Sequence, residues 1–90
     1  MKTANGSKYL VIAPRTPGFD ASVIDPHQRF LDELRSQGLL ELTGPFTDKS
    51  GGAYLLSAAS LAEAHAIVAR DPLSTSGASA LSVYEWAVST

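Results

Sequence analysis

Ninety residues give room for one hydrophobic core, so separate catalytic and regulatory domains, at ~100 to 200 residues each, are excluded. With 44% hydrophobic and 18% charged residues, the chain has enough apolar side chain to offset the entropy of folding, which excludes a disordered chain. Seven Lys and Arg against nine Asp and Glu leave a net charge of −2, which gives no field for phosphates and argues against a nucleic-acid partner, while zero cysteines exclude disulfides, thiolate nucleophiles and Cys-based metal centres.

The polar lead-in, residues 1–7, is expected to be flexible and to precede a single domain over 8–88. No run reaches the ~18 apolar residues of a membrane span, and the opening residues do not form a signal peptide, so the expectation is a cytoplasmic protein with no membrane partner. Lys8 to Ala13 (KYLVIA) is a short apolar run stopped by Pro14, Pro17 and Gly18, as after a buried strand. Helix one is expected from Asp25, a good N-cap, with Pro26 at the first helical position and Gln28 where a capping-box partner belongs; Ser22 with Asp25 is a competing start. Phe30, Leu31 and Leu34 recur at helical steps, and Gly38 ends the pattern after Gln37.

Leu39 to Thr43 alternates apolar and polar residues until Gly44 and Pro45, which predicts strand two. Asp48 to Gly52 is turn chemistry, and Ala53 to Ala58 resumes as strand three, so the pair makes a hairpin. Ser60 with Glu63 reads as the capping box of helix two, whose stripe is Leu61, Ala64, Ile67 and Val68 and whose stop is Asp71-Pro72. A Ser/Thr-rich loop leads to a last strand, Ala80 to Ala87, with Leu81 and Val83 on one face and Tyr84 and Trp86 on the other. The order β-α-β-β-α-β predicts an α+β, ferredoxin-like fold: a four-stranded antiparallel sheet with two helices on one face. Strands one, three and four carry large apolar groups on both faces while helices cover one, so a homodimer is expected, with Tyr9, Tyr54 and Trp86 as candidates for the uncovered face and assemblies of dimers allowed.

From helix one onward the chain resembles a known family. "PHQRFLDELRSQGLL" containing His27, "GPFTD" at 44–48, "GGAYLL" at 51–56, "SLAEAHAIVARDP" at 60–72 and the final "SVYEW" are similar to the YciI-like (YCII-related) proteins, over nearly the whole chain after Ser7. The combination carries the resemblance: a His in helix one, Gly-Pro followed by Asp after strand two, and Asp-Pro after helix two. It implies a dimeric α+β barrel with an active site at a His and Asp pair, matched here by His27 and Asp48. Some relatives are associated with breakdown of chlorinated aromatics. Relatives often carry Arg three positions before the His, where this chain has Ile24; the same charge contact would have to come from Arg15 or Arg29.

Read without the family, His27 leans toward the stripe of Leu31 and Leu34, and a half-buried structural histidine is the plain alternative to a catalytic one. At the second helical position the helix dipole would disfavour imidazolium by roughly 0.3 to 1 kcal/mol and keep the base form available. Asp48, accepting from one ring nitrogen, would fix the tautomer and stabilise the cation formed at the other, although Asp before Lys-Ser-Gly-Gly is also ordinary turn chemistry. Asp71 before Pro72 is a helix-terminating residue or a pocket-lining one, and His65 reads as surface or packing. Two separated histidines give no convincing metal site, Gly51-Gly52 cannot cradle phosphates, and Ser57, Ser60 and Ser76 lack a nucleophile context. Tyr84 and Trp86 read as buried area at the sheet or dimer interface, or as stacking partners for an aromatic ligand.

The leading expectation is therefore a small dimeric enzyme without cofactor or metal, performing an isomerisation or elimination by proton transfer on a small, aromatic or enolisable substrate. His27 is the acid/base, Asp48 its orienting partner, and the Phe46 region with the amides near Gly44, together with Asp71, contacts substrate. The rival is a non-catalytic module that binds a small ligand or partner in the same cleft.

Overall fold

The computed structural model describes residues 6–89, with elements in the order β1 (Gly6–Pro14), α1 (Ile24–Ser36), β2 (Leu40–Pro45), β3 (Gly51–Leu56), α2 (Leu61–Val68), α3 (Pro72–Thr75) and β4 (Ser82–Val88). The lead-in expected over residues 1–7 lies outside the described residues as far as residue 5. Gly6 and Ser7 belong to β1, opposite Val88 and Ala87. The strands lie side by side as β2-β3-β1-β4, and each neighbouring pair is antiparallel. This is the expected α+β, ferredoxin-like sheet. Among the described residues no helix is long and apolar enough to cross a membrane.

Alternation along the strands decides what each face meets. Tyr9, Val11 and Ala13 point one way from β1, and the register sets Tyr9 opposite Leu56 and Val11 opposite Tyr54 on β3. Tyr9, Val11, Tyr54 and Leu56 pack with Leu31 and Leu34 of α1 and Ala64, Ile67 and Val68 of α2 in one buried cluster, so both long helices cover this face, while Ala13 joins a second, smaller cluster. The other face carries Leu10, Ile12, Leu42, Leu55, Tyr84 and Trp86, among which Leu42, Tyr84 and Trp86 are 69%, 56% and 48% exposed. Trp86 is where the alternation predicts it. Tyr9 and Tyr54 are not: both are buried beneath the helices, because they share a face with Val11 and Leu56.

Helix boundaries follow capping chemistry, with two departures. A 3-10 turn over Ala21–Val23 leads directly into α1, and Asp20 caps it by accepting the Ser22 N–H at 2.9 Å. Asp25 and Pro26 therefore lie inside the first turn of α1 rather than at its cap. Burial of Val23 against Ala13, Leu73 and Ala78 draws the start upstream. The far end is as expected, Gln37 closing the helix and Gly38 taking a φ of +76°. At α2, Ser60 Oγ accepts the Glu63 N–H at 3.1 Å, and the Glu63 carboxylate reaches back to the Ala59 N–H at 3.0 Å. The second departure is α3, in the region expected as loop. Asp71-Pro72 stops α2 and also starts a new turn, with Asp71 accepting the Leu73 N–H at 2.8 Å and proline at the first helical position.

Candidate functional site

His27 is the fourth residue of α1, still within the turn that faces the helix's positive end. Its Nδ1 lies 2.9 Å from Oδ1 of Asp71, and its side chain is 15% exposed. Asp71 is wholly buried. A carboxylate there is costly unless donors surround it, and three do. Leu73 N–H and His27 Nδ1–H reach Oδ1, and Tyr54 Oη–H donates to Oδ2 at 2.8 Å. Among the described residues no buried side-chain nitrogen or oxygen is left without a partner.

Each element contributes by its local geometry. The α3 cap fixes the carboxylate, since an Asp at that position folds its oxygens back onto its own helix N–H. Alternation on β3 sends Tyr54 to the helix side, beneath Asp71 and 6.1 Å, ring to ring, from His27. Burial first, then the charge and hydrogen bond of Asp71, push the Tyr54 phenol far above its ordinary value, so it stays a donor. An ionised carboxylate only accepts, so beside one a neutral imidazole carries its proton on Nδ1 and leaves the Nε2 lone pair for other chemistry.

The expected pairing of His27 with Asp48 is not formed. Asp48 is exposed in the β2–β3 turn, where its Oδ1 accepts the Ser50 N–H at 2.9 Å. Hydrogen bonding from Ser50 holds its carboxyl below the usual carboxylate range. The turn chemistry claims the side chain, and Asp71 is the carboxylate that meets the histidine.

Beside His27 opens a cleft of about 460 Å³, walled by Ala13, Arg15, Phe19, Ile24, Gln28, segments 43–45 and 51–54, Leu73 and Ser79. Gly44 is in this wall. Asp71 stands behind it, reaching the cleft through His27 and Tyr54. Phe46 is not in the wall, and its N–H is used by the Gly51 carbonyl at 2.8 Å, so it is not a free donor for an oxyanion. Gly51 and Gly52 shape the floor: a Cβ on Gly51 would overlap the Ala13 carbonyl, and one on Gly52 would sit 2.7 Å from the Gly44 oxygen. Arg15 and Ile24 both border the cleft and Arg29 does not. His65 is exposed on α2, and Tyr84 and Trp86 lie across the sheet on the open face. Among the described residues no group of three His, Asp or Glu side chains converges as a metal site would need. Tyr54 was missed in the sequence, although the period-two pattern that buries Leu56 signals its direction.

Comparison with known proteins bears on the family and the fold. The uncharacterized protein YjpA of Bacillus subtilis (strain 168) is 44% identical over 78 residues, covering 87% of this chain and 92% of YjpA. Among solved structures, the 5-chloro-2-hydroxyhydroquinone dehydrochlorinase TftG from Burkholderia phenoliruptrix AC1100, in complex with 2,5-dihydroxybenzoquinone, matches with a TM-score of 0.68 at 25% identity, over 88% of this chain and 92% of TftG. The model of the YCII-related domain matches residues 7–87, and with the fold and this relative it establishes that the chain belongs to the YCII-related family.

Proposed function

We propose that this protein is an acid/base catalyst that moves a proton on a small, oxygenated, ring-shaped or enolisable substrate, using its own side chains. The observation that carries the reading is the chain of hydrogen bonds from Tyr54 through buried Asp71 to His27 at the wall of the cleft. His27 Nε2 takes a proton from a substrate C–H or O–H and becomes imidazolium, which Asp71 stabilises without accepting the proton. Returning that proton to another substrate atom completes an isomerisation. In an elimination the leaving group departs with the bond pair, and the proton passes from His27 to water. TftG, a dehydrochlorinase captured with 2,5-dihydroxybenzoquinone, supports this class of substrate.

The working unit in this reading is a homodimer. The open sheet face, with exposed Leu42, Tyr84 and Trp86, suits a second copy of the same face. The test of the chemistry starts from 5-chloro-2-hydroxyhydroquinone and related hydroxyquinols. Turnover that drops by on the order of 10² to 10⁴ in His27→Gln while substrate still binds supports the proposal. Binding that His27→Gln abolishes, with no turnover of any such compound by the unaltered protein, would favour a ligand-binding module instead.

A further inference from the structure

Resting on the reading of the cleft as a substrate site, we infer that Arg15 is its anion-recognising residue and that the substrate carries an anionic oxygen on a planar frame. Among the described residues Arg15 is the one cationic side chain in the wall besides what His27 becomes on protonation, and no Asp or Glu lines it. Asp71, the nearest carboxylate to His27, is saturated by three donors and buried behind them. Among the described residues Arg15 makes no ion pair. Arg15 is exposed at the cleft wall and its acidic neighbour is already engaged, so its donors are open to the counter-charge of a ligand.

The backbone of Arg15 is fixed. Its N–H donates to the Ser50 carbonyl at 2.8 Å, and it forms a bridge with Ser79. The guanidinium lies over the Phe19 ring, 4.1 Å from the ring centre. Stacking occupies one flat face of the group and leaves its rim of N–H donors in the plane, the geometry that takes two oxygens of a carboxylate, or the oxygen pair of an ionised hydroxyquinone, side by side. Phe19, Ile24 and Pro45 in the same wall are apolar and suit a flat ligand body. Arg15 is thus a specificity-determining residue: it holds charge, while His27 moves the proton.

Binding, not turnover, tests this assignment. The probes are two anions, 2,5-dihydroxybenzoquinone and benzoate, and two neutral counterparts of similar shape, hydroquinone and benzamide, titrated calorimetrically at pH 8. The anions are expected to bind more tightly than their neutral counterparts. Arg15→Gln should weaken the anions by on the order of 10- to 100-fold, in the range of a charged hydrogen bond, and leave the neutral probes within about 2-fold. Arg15→Lys, which keeps the charge and loses the fork, should fall between. Anions that bind no better than neutral probes, an Arg15→Gln protein with unchanged anion affinity, or no anion binding up to millimolar concentration would each overturn the inference. Repeating the titrations in His27→Gln separates the two readings: anion binding that still depends on Arg15 there upholds the subsite even if no turnover is ever found.

Discussion

A carboxylate with no solvent exposure is held in place by its donors, and Asp71 has three of them. Asp71→Ala leaves the Tyr54 hydroxyl and the Leu73 N–H buried without a partner, so chemical denaturation should show a loss of roughly 3 to 5 kcal/mol. Asp71→Asn keeps the shape but offers an NH₂ where an acceptor is required; stability should fall less, and turnover should fall more than affinity. Tyr54 gives a dependence on pH. Its folded phenol is raised, so the unfolded chain gives up a proton that the folded chain keeps. The stability this contributes is whole below about pH 10, the ordinary tyrosine value, and is lost as pH climbs from there toward the folded value. Tyr9, raised by burial and by its hydrogen bond to Glu85, adds to the same slope. Denaturation midpoints measured from pH 8 to 11 should therefore decline in the unaltered protein and decline less steeply in Tyr54→Phe; parallel curves would remove Tyr54 from the account. At this scale the place of His27 near the start of helix one was legible in the sequence, and the carboxylate it meets was not. Asp48 and Asp71 both sit at turns, both accept from an N–H two residues on, and only the tertiary path of the chain after α2 brings one of them to His27.

At the scale of elements, local chemistry carries most of the outcome. The strand alternation, the Ser60–Glu63 box and the Gly38 stop each depend on residues within a few positions, so they could be read directly. What escaped was the third helix, because an Asp-Pro step ends one helix and begins another with the same two residues. The start of α1 escaped for a different reason: a 3-10 turn capped by Asp20, with Val23 buried in the smaller core cluster of residues distant in sequence, runs into the helix, so Asp25 is not its cap. Ser60→Ala should cost about 1 kcal/mol by removing the acceptor for the Glu63 N–H, measurable as a lower denaturant midpoint with an unchanged slope. The hairpin offers a gain instead. Lys49 holds a φ of 65°, a left-handed conformation that costs a residue with a Cβ about 1 kcal/mol, so Lys49→Gly is expected to be neutral to stabilising despite the extra freedom it gives the unfolded chain. A clear loss of stability in Lys49→Gly would mean that the lysine side chain contributes something its turn geometry does not reveal.

For the whole molecule the decisive surface is the sheet face that the helices leave open. Light scattering at micromolar concentration should return twice the monomer mass, and Trp86→Lys, which sets a second cation opposite Lys8 on the open face, should return the monomer with its helices intact by circular dichroism. A monomeric unaltered protein would end the homodimer proposal. Both this face and the face beneath the helices are written into the same few strands at alternating positions: Tyr54 serves Asp71, and Leu55 beside it serves the outside. The two messages are interleaved letter by letter, so each strand can be revised on one side without disturbing the other, yet neither tolerates a change of reading frame. A single residue inserted before Tyr54 would transpose them, turning the phenol outward and leaving Asp71 with a missing donor in the same stroke.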